Sequence, residues 1–169
     1  TSNVYDVAKI TPINSLEKLS KKLKNTIFLK REDQQPVHSF KLRGAYNKMA
    51  SLTNKELQKG VIASSAGNHA QGVAFSAHYL NCDATIIMPK TTPKIKVDAV
   101  KYYGASTILK GDTYDEANEY AQLLAKETDK TFIHPYDDLM VIAGQGTIGK
   151  ELIDQCSNLD YLFVPVGGG

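Results

Sequence analysis

From residue 61 onward the chain alternates short apolar runs with longer amphipathic stretches. "VIASS" (61–65), "ATIIMP" (84–89), "STILK" (106–110), "TFIHP" (131–135) and "YLFVPV" (161–166) are rich in β-branched and apolar residues, the composition of buried strands. Such runs at a spacing of roughly 20–30 residues, with helical segments between them, predict βαβ units. They imply a three-layer α/β architecture with a parallel sheet and right-handed crossovers. One helix is explicit. In "TYDEANEYAQLLAKETD", Ala117, Tyr120, Ala121 and Leu124 fall at i, i+3, i+4 and i+7, one face of an α-helix. Asp115 and Glu116 sit in its first turn, where negative charge is favoured.

Before residue 61 the pattern is less regular. "SLEKLSKKL" (15–23) reads as a helix and "TIFLK" (26–30) as a strand. "REDQQPVH" is a loop, broken by Pro36. Ser39 can cap a helix running to about Leu52, and "NKELQKG" (54–60) reads as a short helix ended by Gly60. Further along, the glycine cluster "AGQGTIG" (143–149) is read as close packing and the start of the helix before Cys156. Neither GxGxxG after a strand nor a Walker A sequence occurs.

Bulk properties narrow the partners. The chain has 169 residues, 42% hydrophobic and 22% charged, with a net charge of +2. Both signs are scattered, so neither nucleic acid nor an anionic membrane is expected as the main partner. No apolar run approaches the ~18 residues a transmembrane helix needs. Cys82 and Cys156 are far apart and form no CxxC, and His38, His69, His78 and His134 show no HExxH spacing. A disulfide framework, zinc site or other metal centre is therefore not expected. The first residue is not Met and the last residues are "VPVGGG", where a further helix would ordinarily follow, so a piece of a longer chain is expected.

The candidate chemistry centres on "VHSFKLRGAY" (37–46). It places Lys41 two positions after a capping serine, in the positive field of a helix start, where an ammonium group is disfavoured. Two glycine-bearing strand–helix junctions offer backbone N–H groups to anions. One is "SSAGNHAQG" (64–72) and the other is "GGG" (167–169), after "YLFVPV". For 64–72 a plain tight turn is an equal reading. Three successive glycines cost backbone entropy and call for a reason. An anionic cofactor bearing an aldehyde, an amino-acid carboxylate and a reactive amine together fit pyridoxal 5′-phosphate chemistry.

These segments also carry a family resemblance. "SFKLRGAY" resembles the lysine motif of fold-type II pyridoxal-phosphate enzymes, and "SSAGNHAQGVAF" is similar to their asparagine loop. "VIAGQGTIGKE" and "FVPVGGG" follow in the family's order. The resemblance is to the threonine ammonia-lyases (threonine dehydratases) of the serine/threonine dehydratase family, and "KREDQQPVHSFKLRGAYNKM" resembles the biosynthetic, isoleucine-pathway type. It implies a tryptophan synthase β-like fold, incomplete at its C-terminal side. It divides the chain into residues 1–53 and 151–169 of a large domain and 54–150 as a small domain. It also implies pyridoxal 5′-phosphate, a cytoplasmic setting, a homo-oligomer, and isoleucine as effector where a regulatory region follows.

By the same resemblance Lys41 carries the cofactor and serves as base, and Phe40 packs on its ring. Asn68 bonds its 3′-oxygen. The backbone of Ser65, Ala66, Gly67 and Asn68 holds the substrate carboxylate, and Gly167, Gly168 and Gly169 begin the phosphate cradle. Phe40 as a core side chain and Asn68 bonding its own backbone are the plain alternatives. The implied reaction is β-elimination of L-threonine to 2-oxobutanoate and ammonia. Related serine racemases carry a second basic serine where this chain has Ala66, which favours elimination. Serine as substrate stays open, since one methyl is worth only ~1–3 kcal/mol in a pocket. The other readings are an L-serine dehydratase, a serine racemase or β-replacement enzyme, and a non-catalytic α/β fragment or split-protein half.

Overall fold

A computed structural model describes residues 2–167. A short antiparallel pair opens the chain, β1 (Ile13–Ser15) with β2 (Phe28–Lys30), joined through α1 (Glu17–Leu23). Then come α2 (Lys41–Met49) and α3 (Asn54–Lys59). Thr53 caps α3 through a reciprocal pair of hydrogen bonds with Glu56. The alternating region follows as β3 (Val61–Ser64), α4 (Asn68–Tyr79), β4 (Ala84–Met88), α5 (Lys94–Tyr102), β5 (Ser106–Leu109), α6 (Tyr114–Thr128) and β6 (Thr131–Phe132). The last helix is α7 (Leu139–Gln155), capped by Asp138 Oδ1 on the N–H groups of Met140 and Val141.

The four strands β3 to β6 pair in parallel, in the order β5-β4-β3-β6. The chain winds outward from β3 to β5, then returns across the sheet to place β6 on the other side of β3. The strand order reverses between β3 and β6. In open parallel sheets ligands gather outside the carboxyl ends of the strands at such a reversal. No helix among the described residues is long and apolar enough to cross a membrane.

Both faces of the sheet are covered, which is why its strands read as continuous apolar runs. On one face Ala63, Ile86 and Met88 pack with Val73, Ala74 and Ala77 of α4 and Val97 and Val100 of α5. On the other face Ile62 and Ile87 meet Ala117, Ala121 and Ala125 of α6, with Tyr120 and Leu124 at the margin. The face expected from the α6 periodicity is the face that packs.

Glycines set the spacing of α2 against its neighbours. A Cβ on Gly144 of α7 would lie 2.5 Å from the Arg43 carbonyl oxygen and 2.7 Å from Gly44 Cα. A Cβ on Gly72 of α4 would lie 3.1 Å from the Lys41 carbonyl carbon. So "AGQGTIG" is indeed a close-packing segment, but it lies in the middle of α7 rather than at its start. Gly144→Ala must push α7 off the α2 backbone, and we expect a loss of about 1–3 kcal/mol, read as a lower urea midpoint at unchanged slope.

A buried charge cluster ties the same helices to the N-terminal hairpin. Arg43 is fully buried. It donates from Nε and Nη2 to both Glu32 carboxylate oxygens, each at 2.8 Å, and from Nη1 to Glu151 Oε1 at 2.6 Å and Thr147 Oγ1 at 3.0 Å. Lys30 Nζ reaches Glu151 Oε2 at 2.6 Å. Burial pushes the Glu151 pKa up, but hydrogen bonds from Arg43 and Lys30 outweigh it and hold the carboxyl below its ordinary value.

Two expectations fail. "YLFVPV" forms no strand; residues 161–166 are exposed and pair with no neighbour. A strand needs a partner edge for its backbone groups, and none of the described strands lies beside it. Ser39 does not cap α2: Phe40 takes the cap position in a helical conformation, and Ser39 Oγ is buried without a hydrogen bond.

Candidate active site

Lys41 is the first residue of α2. Its Nζ donates to the Pro135 carbonyl oxygen at 2.8 Å and lies 5.4 Å from the Phe40 ring centroid. Pro135 belongs to the segment leaving β6, so the amine sits at the sheet's reversal. Burial lowers the Lys41 pKa, because a half-buried ammonium loses hydration that one carbonyl does not replace. The sequence pointed to a disfavoured ammonium through the helix field; the cause here is burial.

Facing it across the reversal is the junction from β3 into α4. Ser65 Oγ accepts the Gly67 N–H at 3.1 Å, which folds the loop back toward the helix. Nothing lies within 4 Å of a Cβ built on Gly67, so the loop's inner side is open. Asn68 starts α4 and is exposed, and no side chain caps this helix. Its first N–H groups and positive end are available to an anion. Gly72, one turn beyond Asn68, rests on the Lys41 backbone.

His69 follows Asn68 and is 3% exposed. Its Nε2 contacts the Ile133 carbonyl oxygen at 2.9 Å, which fixes a proton on Nε2 and leaves Nδ1 an acceptor. Burial pushes its pKa down from the ordinary 6.5 to about 4. The folded state therefore holds His69 neutral, while the unfolded chain binds a proton below pH 6.5. The stability this represents is complete above that pH and falls as pH drops toward about 4. We expect a decline on the order of 3 kcal/mol across that window from this group. Urea melts between pH 7 and 4 check it, and His69→Gln should flatten the slope.

His69 Nδ1, Ser64 Oγ and Ser39 Oγ are buried with no hydrogen-bond partner among the described residues. All three belong to the segments flanking Lys41. A site with an underhydrated amine and an uncapped helix start suits a polar, anionic ligand bearing an aldehyde, and these two features fit pyridoxal phosphate.

Of the candidate residues, Phe40 and Lys41 stand together at the start of α2, and the 65–68 loop leads into α4, whose Gly72 rests on the Lys41 backbone. Gly167 is exposed with open space around it, and Gly168 and Gly169 lie outside the described residues. Sequence reasoning passed over His69 and the backbone carbonyls of Ile133 and Pro135. The histidine beside Asn68 in "SSAGNHAQG" was the available signal; a carbonyl leaves none.

Fold and site define an α/β core with a half-buried lysine amine beside an uncapped helix start at a sheet reversal. The chain belongs to the family of pyridoxal-phosphate dependent enzymes, whose family model matches residues 4–169, and it has the fold-type II arrangement. It is 56% identical over 169 residues to the biosynthetic L-threonine dehydratase of Pasteurella multocida, covering 100% of this chain and 33% of that protein. The processed form of threonine deaminase isoform 2 from Solanum lycopersicum superposes with a TM-score of 0.95 at 53% identity, over 98% of this chain and 46% of that one. Maize serine racemase superposes with a TM-score of 0.90 at 31% identity, over 94% and 48%. The chain thus spans about a third of the length of the curated relatives it matches.

Proposed function

We propose that the protein carrying this chain deaminates L-threonine to 2-oxobutanoate, losing the β-hydroxyl as water and regaining a water when the released imine hydrolyses to ammonia, as a biosynthetic threonine ammonia-lyase, with pyridoxal phosphate held on Lys41. The carrying observation is the half-buried Lys41 amine bonded to Pro135 at the reversal of the sheet, in a chain this similar to biosynthetic threonine dehydratases. When bound, the cofactor supplies an electron sink that makes the substrate Cα proton acidic.

The chain's own residues do the rest. Lys41 takes the Cα proton, which requires the neutral amine, and its burial favours that form. Phe40 would flank the cofactor ring and Asn68 would hydrogen-bond its oxygen. The N–H groups of Ser65, Ala66, Gly67 and Asn68 would hold the substrate carboxylate at the uncapped end of α4. Gly167, Gly168 and Gly169 would contribute to the phosphate cradle. Ala66 has no proton to give on the opposite face, which supports elimination over the racemisation performed by the maize relative. We also infer a small domain over 54–150, between two parts of a large one, 1–53 and 151–169; the four-stranded sheet falls within the former. A cytoplasmic setting fits the bacterial relative. A homo-oligomer and an isoleucine-binding region outside this chain complete the proposal.

The test is product analysis on the intact protein with added pyridoxal phosphate. L-Threonine should yield 2-oxobutanoate and ammonia, with L-serine a slower substrate. D-Serine accumulating without keto acid would replace this reading with a racemase.

A further inference from the structure

We propose that His69 is a positioning residue for Lys41, acting through the segment that leaves β6. The inference rests on the reading of Lys41 as the cofactor lysine. That segment is held at three points. His69 Nε2 donates to the Ile133 carbonyl at 2.9 Å, and Lys41 Nζ donates to the Pro135 carbonyl at 2.8 Å. His134 Nδ1 accepts from the N–H of Asp137 at 2.7 Å and, more weakly, of Tyr136 at 3.3 Å. The His134 ring also packs edge-on against Tyr136 and Phe132.

The two carbonyls are two residues apart on one short stretch. The helices that reach them are locked at one crossing. His69 and Gly72 are three apart on α4 and share a face, and Gly72 seats the backbone of Lys41. One turn of α4 therefore fixes both ends of the lysine side chain: Gly72 holds its root, and His69 holds the strand extension that its amine grips. Burial is the main force keeping His69 neutral, and the titratable groups acting on it, Lys41 and His134, also oppose a positive charge there. The ring therefore stays a neutral donor committed to Ile133. Without that donor the Ile133 carbonyl is left unpaired in the interior. The stretch then shifts to find water, and the Pro135 acceptor moves with it.

The test uses the intact protein with His69→Leu, His69→Asn and His69→Gln. Gln keeps an N–H donor near the Nε2 position; Asn is too short and Leu has none. We expect kcat to fall about tenfold or more in Leu and Asn, with KM for L-threonine within about twofold. Gln should retain most of the wild-type rate. The second readout is trace acetylation of Lys41 in the cofactor-free protein, mapped by peptide mass spectrometry across pH. In Leu and Asn the labelling profile should move to higher pH as the amine regains water. Wild-type kcat and an unmoved profile in Asn or Leu would overturn the proposal, as would a Gln variant as impaired as Asn. Should Leu fail to fold, the Gln and Asn pair decides. Failure of the wild type to take up the cofactor on Lys41 would instead overturn the reading beneath it, which labelling of cofactor-free protein keeps separate.

Discussion

Replacing Lys41 with alanine should abolish turnover of L-threonine, lowering kcat/KM by at least about a thousandfold, while the protein stays folded. The loss is large because one side chain both carries the cofactor and moves the proton. Folding is spared for a local reason. Alanine is well suited to a first helical position, and the side-chain hydrogen bond given up among the described residues is the one to Pro135, about 1 kcal/mol. Lys41→Arg should fail equally, since a guanidinium has no neutral form at working pH. Steady-state kinetics beside a thermal melt check both points. A Lys41→Ala enzyme within tenfold of wild type would remove this residue from the chemistry.

Arg43→Met should cost about 3–5 kcal/mol of stability, far more than the Lys41 change. Methionine fills much of the volume but leaves Glu151, 3% exposed, with Lys30 as its cationic partner and the Tyr5 hydroxyl as a neutral one, and takes both guanidinium bonds from Glu32. The damage is an uncompensated buried charge rather than a lost attraction. The sign with pH follows. Glu151 has its pKa lowered in the folded protein, so its contribution is present above the ordinary carboxylate range and is lost on acidification. Without Arg43 that depression is relieved, so the gap between variant and wild type should narrow as pH falls toward about 4. Urea midpoints at pH 7 and pH 4.5 measure it. A loss under about 1 kcal/mol at pH 7 would show that the cluster is solvated and replaceable.

The sequence disclosed what periodicity and local chemistry encode. Val61 and Ala84 begin the central parallel strands, which are buried throughout and so read as apolar runs, and Ser106 and Thr131 begin the partly exposed strands flanking them. Ala117 and Ala121 face the sheet because helical spacing puts them on one side. The lysine motif and the glycine loop were legible from residue type and order. What stayed hidden depends on partners distant in sequence. The 143–149 cluster was legible as close packing, but it lies mid-helix and not at a helix start, because Gly144 faces the Arg43 and Gly44 backbone. Residues 161–166 have strand composition but no neighbouring edge among the described residues. The depressed pKa of Lys41 was anticipated in direction, whereas its cause is burial against a segment some ninety residues away. The Pro135 and Ile133 carbonyls, and the role of His69, are tertiary facts about backbone groups.

The central claim is that Lys41 is the amine that bonds the cofactor. Borohydride reduction of the intact protein with pyridoxal phosphate, followed by proteolysis and peptide mass spectrometry, tests it most directly. The account requires the phosphopyridoxyl group on the peptide containing "SFKLR", at Lys41, in near-stoichiometric yield and suppressed by prior addition of L-threonine. Label on another lysine, or scattered substoichiometrically over the exposed ones, would contradict it.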